Sequence, residues 1–225
     1  NTMRDETGYP FSFDDIVMCV GAGGGLNVVF KALLDQGDEV LALAPYFAEY
    51  GAYVQNHGGR LILAKTNIDF QIDLDSIERN ISNKTKIVII NSPNNPTGVV
   101  YSQKSLDDLA QLLVLKEKYY GHPIFIVADD IYRHLVFDGL SNSNVFLSYT
   151  NSVLVNSSLS LSSRKGITYA FSFSFKPSTE SLIKRSSTFL TLLVWIFGST
   201  GDEFLGRYEI LKGKFALFSR ASGKS

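Results

Sequence analysis

A single cysteine, Cys19, leaves no intrachain disulfide framework, so this chain must fold on burial alone. Cys19 lies inside the apolar run Ile16-Val17-Met18-Cys19-Val20 and reads as a buried structural thiol, compatible with a reducing compartment. Histidine is scarce as well. His57, His122 and His134 stand far apart, without metal-ligand spacing, and no metal site is expected. Neither sign of charge dominates, with 21 Lys and Arg against 22 Asp and Glu and a formal net charge of −1. That balance gives no electrostatic footprint for nucleic acid or an anionic membrane. The most apolar window, Phe189 to Gly198, is roughly half the length a bilayer span requires. The opening Asn1-Thr2-Met3-Arg4-Asp5-Glu6 is polar and lacks a basic-then-apolar leader. The expectation is a soluble, cytoplasmic protein.

What is present is a globular composition. Hydrophobic residues make up 45% of the 225 positions, enough for one α/β domain, or one and a half smaller ones, with a substantial core. Short apolar runs alternate with helix-like segments. Predicted strands are Ile16 to Val20, Val40 to Ala44, Arg60 to Lys65, Ile87 to Ile90, Pro123 to Ala128 and Val153 to Asn156. Helical patterns run from Leu26 to Leu34, from the aromatic stretch after Pro45 to His57, from Leu74 to Ile81 and from about Ser105 to Lys118. Strand alternating with helix predicts a mostly parallel sheet covered on both faces. In such sheets ligands bind beyond the carboxyl ends of the strands, where the polar motifs of this chain fall.

The first motif is the glycine turn Gly21-Ala22-Gly23-Gly24-Gly25 between a strand and a helix. That geometry can place an anion on a helix amino terminus, worth ~0.3–1 kcal/mol. A dinucleotide fingerprint competes for the same residues. The spacing Gly21-x-Gly23-x-x-Leu26 lacks its third glycine, however, and Asp38 and Glu39 belong to a turn that feeds the next strand. Pro45-Tyr46-Phe47 then offers aromatics that can stack on a planar ring or simply fill core. The loop Asn91-Ser92-Pro93-Asn94-Asn95-Pro96-Thr97-Gly98 follows a buried strand. Its prolines restrict the backbone and its amides both donate and accept hydrogen bonds. Asp129-Asp130-Ile131-Tyr132 ends another strand, where paired acids can bind a metal, cap a helix or face a cationic ring nitrogen.

These four motifs, in this order over about residues 15–160, resemble the fold-type I, class I/II aminotransferases that use pyridoxal 5′-phosphate (PLP), aspartate-aminotransferase-like members among them. Ser92-Pro93-Asn94-Asn95-Pro96-Thr97-Gly98 carries the most specific part of the match. The resemblance implies an αβα sandwich as large domain, amino transfer between an amino acid and a 2-oxo acid, and a homodimer with sites completed across its interface. By position, Ala22 and Gly23 match the backbone amides that receive the cofactor phosphate, and Phe47 the aromatic that stacks on the ring. Asn95 and Tyr132 match the two contacts to the ring's 3′-oxygen, Asp129 the carboxylate facing the ring nitrogen, and Ser158 a phosphate contact. Asp130 takes the place of the family's usual Glu and is assigned no chemistry.

The family's next motif is Ser-x-Ser-Lys, whose lysine forms the Schiff base. Here the chain reads Ser158-Leu159-Ser160-Leu161, and the nearest lysine is Lys165. The family's following arginine has no match, since Arg164 comes too early and Tyr169 occupies the counted place. Beyond Ser160 the resemblance fades into a Ser- and Phe-rich stretch. A loose echo returns at Tyr208-Glu209-Ile210 and Lys214 to Phe218, and Arg220 lacks the pattern of a substrate-binding arginine. The division expected is a PLP-binding large domain over 1–160, without the usual amino-terminal arm, and a degenerate or truncated small domain over 161–225. Two accounts of Leu161 follow: a non-catalytic module or pseudoenzyme that keeps the pocket, or a shifted or shortened reading of an active enzyme. The second is preferred, because the change of composition after Ser160 is a block and not a single substitution.

Overall fold

The computed structural model describes residues 16–133, 135–136, 152–156 and 170–175. All belong to the first of two units into which the chain divides, Asn1–Ile183 and Lys184–Ser225. The described residues form β1 (Ile16–Val20), α1 (Gly21–Leu33), β2 (Glu39–Ala44), α2 (Tyr50–Asn56), β3 (Arg60–Lys65), α3 (Leu74–Asn80), β4 (Thr85–Asn91), α4 (Gln103–Tyr120), β5 (Phe125–Asp129), β6 (Ser152–Asn156) and β7 (Ala170–Phe175).

The seven strands make one sheet in the order β1-β7-β6-β5-β4-β2-β3. Strands β3, β2, β4, β5 and β6 pair in parallel, while β7 runs antiparallel between β6 and β1. The expected mostly parallel α/β sheet is therefore present. Its central strands are apolar throughout because both faces are covered. On one face Val88 and Ile90 of β4 and Ile126 of β5 pack with Ile77 of α3 and Leu106, Leu109 and Leu113 of α4. Alternation turns Ile87, Ile89, Phe125 and Val127 to the opposite face, all buried, where α1 and α2 touch each other.

Two elements differ from expectation. The run Gly21 to Gly25 is the first turn of α1, not a turn ahead of it. Glycine costs about 1 kcal/mol against alanine inside a helix, which is why the composition reads as a loop. Tertiary packing overrides that preference, with Gly25 and Leu26 already buried. The second difference is β7, which brings residues past 160 back into the sheet. Phe171, Phe173 and Phe175 alternate there with Ser172 and Ser174, the period-two signal of a strand.

The parallel strands point their carboxyl ends to one edge. At that edge the chain leaves β2 toward β3 on one side, while β4 lies on the other, so the strand order reverses between β2 and β4. Open α/β sheets form a crevice at such a switch point. A small cleft lies there, lined by Leu43, Tyr46, Tyr50, Asn91, Asn94 and Tyr101. Among the described residues no helix is long and apolar enough to cross a membrane, and no group of three or more His, Cys, Asp or Glu could hold a metal.

Candidate functional site

Asp129 closes β5 and is only 4% exposed. Its Oδ2 accepts a hydrogen bond from the Tyr50 hydroxyl at the start of α2, while its Oδ1 has no hydrogen-bond partner among the described residues. A buried carboxylate oxygen without a donor is costly, so the site fits a ligand that brings one. Burial pushes the carboxyl pKa up to about 6, and the Tyr50 hydrogen bond works against that rise. Burial, followed by the charge of Asp129, drives the Tyr50 phenol far above its ordinary range, which keeps it a donor. The Phe47 ring meets Tyr50 edge-on, centroids 5.5 Å apart and planes at 76°.

The Asn-Pro loop is wired to the same strand end. Asn91, the register partner of Asp129 across β4 and β5, donates from Nδ2 to the Asp129 carbonyl at 2.8 Å. Its Oδ1 accepts from the Asn95 backbone N–H at 2.6 Å. Asn94, also buried, accepts from the Thr97 hydroxyl at 2.8 Å, and its N–H donates to Val99. Gly98 has φ +75°, a left-handed conformation that lets its N–H reach the Asn94 carbonyl at 2.7 Å. The Asn95 side-chain amide makes no hydrogen bond among the described residues. The Ala44-Pro45, Ser92-Pro93 and Asn95-Pro96 peptides are cis.

The third part is the start of α1. Its N-cap residue Val20 offers no capping side chain and its first turn holds no acid, so among the described residues the first N–H groups, those of Ala22 and Gly23 included, keep their donor capacity and the positive end of the helix dipole. By contrast, Asp73 caps α3 and Ser102 caps α4. At Gly23 an added Cβ would lie 2.8 Å from the Tyr53 hydroxyl, so the tip of that side chain would have to give way. Tyr53 donates to Glu49. Tyr50 and Tyr53, one turn apart on α2, thus reach Asp129 and Gly23 respectively.

Of the residues singled out from the sequence, Phe47 and Asp129 both border Tyr50, Asn95 is tied to Asp129 through Asn91, and Gly23 adjoins Tyr53. Tyr132 follows β5 by three residues, and its carbonyl accepts from Leu135 at 2.7 Å. Asp130 forms an ion pair with Arg133 at 3.4 Å and its N–H donates to Val155. Ser158, Leu161 and Lys165 lie outside the described residues. Cys19 is half-buried, and burial pushes its thiol up to about 12, as expected of a structural residue. Sequence reasoning missed Tyr50, Tyr53 and Asn91. Tyr50 lies 79 residues from Asp129, and no local pattern links the two.

An αβα sandwich whose strand ends gather a glycine-started helix, a proline-asparagine loop and a buried aspartate defines a class of cofactor enzymes. The model of the aminotransferase class I and II family matches residues 3–163, and the chain belongs to that family. The family is PLP-dependent. A probable aspartate/prephenate aminotransferase of Thermus aquaticus is 36% identical over 155 residues, which cover 68% of this chain and 39% of that protein. The aspartate/prephenate aminotransferase of Thermus thermophilus is 37% identical over 138 residues, 60% of this chain and 34% of the relative. Among solved structures, an amino transferase from Eubacterium rectale superposes with a TM-score of 0.73 at 31% identity, covering 92% of this chain and 56% of that one. The chain thus spans about a third to a half of the length of the relatives it matches.

Proposed function

We propose that this chain builds the PLP-binding part of an aminotransferase that moves an amino group between an amino acid and a 2-oxo acid. The observation that carries the reading is Asp129 Oδ1, a buried carboxylate oxygen with no donor among the described residues. In this reading it would accept a hydrogen bond from the protonated ring nitrogen of the cofactor and keep that nitrogen protonated. Bound PLP supplies an electron sink for charge developed at a substrate's α-carbon. Phe47 covers the ring, and Asn95 and Tyr132 hold the ring oxygen from two sides. The N–H groups of Ala22 and Gly23 take the phosphate at the start of α1, with Ser158 as a further contact. Lys165 is the candidate for the covalent lysine, displaced from the position where Leu161 stands.

Residues 1–160 are assigned to the PLP-binding large domain, to which β7 adds a strand, and 161–225 to a divergent remainder. A cytoplasmic homodimer completes the assignment, supported by family resemblance and the single cysteine. Leu161 favours a second reading, a module that binds the cofactor without catalysis. One experiment separates the two. The full chain is mixed with PLP, the visible spectrum is recorded, and borohydride is added before mass spectrometry. A reduced adduct on Lys165 supports catalysis, and reversible binding with no adduct supports the non-catalytic module. Absence of any spectral change overturns both.

A further inference from the structure

We infer that Tyr50 is a positioning residue for Asp129: its hydroxyl holds Oδ2, keeps the buried carboxylate ionised and aims Oδ1 at the ring nitrogen of the cofactor. The inference rests on the PLP reading above and assigns a role to a side chain outside the motif match. Its basis is the division of labour between the two carboxylate oxygens, one held by Tyr50 and the other without a donor among the described residues.

Tyr50 itself is 1% exposed, so its hydroxyl has no water to fall back on and its geometry is fixed by packing. The Phe47 ring lies edge-on against it. An acceptor-only carboxylate held at one oxygen keeps a fixed plane, which directs the second oxygen. Among the described residues no cation pairs with Asp129. Among the described residues, the titratable groups around this pair are Tyr50 and Tyr53 of α2, Tyr101 ahead of α4 and Tyr132 after β5. Asn91 of β4 hydrogen-bonds the backbone carbonyl of Asp129, and the neighbouring Asp130 is paired with Arg133. Burial favours the neutral acid, and the Tyr50 hydrogen bond is the group opposing it. Without the hydroxyl, burial acts on the Asp129 carboxyl unopposed and favours its neutral form, a poorer acceptor for a protonated ring nitrogen.

The test uses the full chain, PLP as the probe, and the variants Tyr50→Phe and Tyr50→Gln. Dissociation constants for PLP are measured by absorbance from pH 5 to pH 9, and the Asp129 carboxyl is titrated by 13C NMR in the unloaded chain, with Asp129→Asn assigning its resonance. In Tyr50→Phe the Asp129 midpoint moves up by about one pH unit or more, and PLP affinity at pH 7 falls about tenfold while converging with the parent near pH 9. Tyr50→Gln, which retains a donor, holds the parent profile more closely. Should Tyr50→Phe fail to fold, Tyr50→Gln carries the comparison: a profile near the parent's supports the role, and a loss of binding equal at all pH values overturns it. An Asp129 titration unmoved in Tyr50→Phe overturns the role of Tyr50. Failure of the unmodified chain to bind PLP instead overturns the functional reading, and the NMR titration still reports on the Tyr50–Asp129 bond.

Discussion

The two ends of the candidate pocket are made of different materials. At the ring-nitrogen end the working atoms belong to side chains, Asp129, Tyr50 and Asn91, each buried and each brought in from a different element. At the α1 end the working atoms are backbone N–H groups, and the sequence contributes mainly by withholding side chains: glycine at 23, no cap and no acid in the first turn. The first end depends on single atoms and can be dismantled by removing one. The second survives most substitutions and is harmed by adding volume or negative charge.

This contrast sets the order of effects expected. The largest is the pH dependence of the unloaded chain. Asp129 has a folded pKa raised to about 6 from an ordinary 3.8. An acid with a raised pKa binds its proton more tightly when folded. Its contribution is therefore complete below the unfolded pKa and is lost as pH rises through about 6, amounting to about 3 kcal/mol at ~1.4 kcal/mol per pH unit. Urea unfolding of the parent and of Asp129→Asn at pH 4 and pH 7 checks this, since other carboxylates cancel in the difference. A slope equal in both proteins would show that the carboxyl titrates as if in water.

Next in size, Asp129→Asn is expected to weaken PLP binding about 10- to 100-fold, the equivalent of losing a charged hydrogen bond. Competition by inorganic phosphate in the same variant stays at the parent value, because the α1 end is untouched. If phosphate competition weakens in parallel, the two ends are not separable. A smaller effect is predicted for Ser102→Ala, which removes the side chain that accepts from the Ser105 N–H at 3.1 Å. Thermal unfolding then reports a loss of about 1 kcal/mol with PLP affinity unchanged. Gly23→Ala is expected to do the reverse. The new methyl meets only the far end of Tyr53, and helix propensity improves, so the melting temperature holds or rises. Affinity for PLP and for phosphate nevertheless drops by up to about fivefold, the ceiling set by the strength of a helix terminus.

How much could be read in advance also differs between the two ends. Strand, glycine run and helix at Ile16 to Leu34 announce an anion-binding geometry from local pattern alone, though the boundary between glycine run and helix falls elsewhere. The strand ending in Asp129 is equally legible, because five consecutive buried residues leave an apolar run with an acid at its tip. The partner of that acid is not. Tyr50 is one of several aromatics after Pro45, and only the tertiary packing that brings the first residue of α2 to the end of β5 selects it over Tyr46 or Tyr53. Asn91 is conspicuous in sequence as the start of the proline-asparagine loop. Its two-way bond to Asp129 and Asn95 follows from β4 and β5 lying in parallel register, which no single strand reveals. Strand β7 was legible in principle through its Phe-Ser alternation, yet its antiparallel place between β6 and β1 is a matter of sheet assembly.

By itself the sequence determined the alternation of strands and helices, the side of the sheet where polar motifs gather, and family membership through the run Ser92 to Gly98, because periodicity and turn chemistry act over a few neighbouring residues. Tertiary structure alone decided that a glycine run begins a helix, that one oxygen of Asp129 is held and the other is not, and that Tyr50 does the holding. Those outcomes depend on which distant surfaces exclude water together, and burial of that kind is a property of the assembled sheet and its helices.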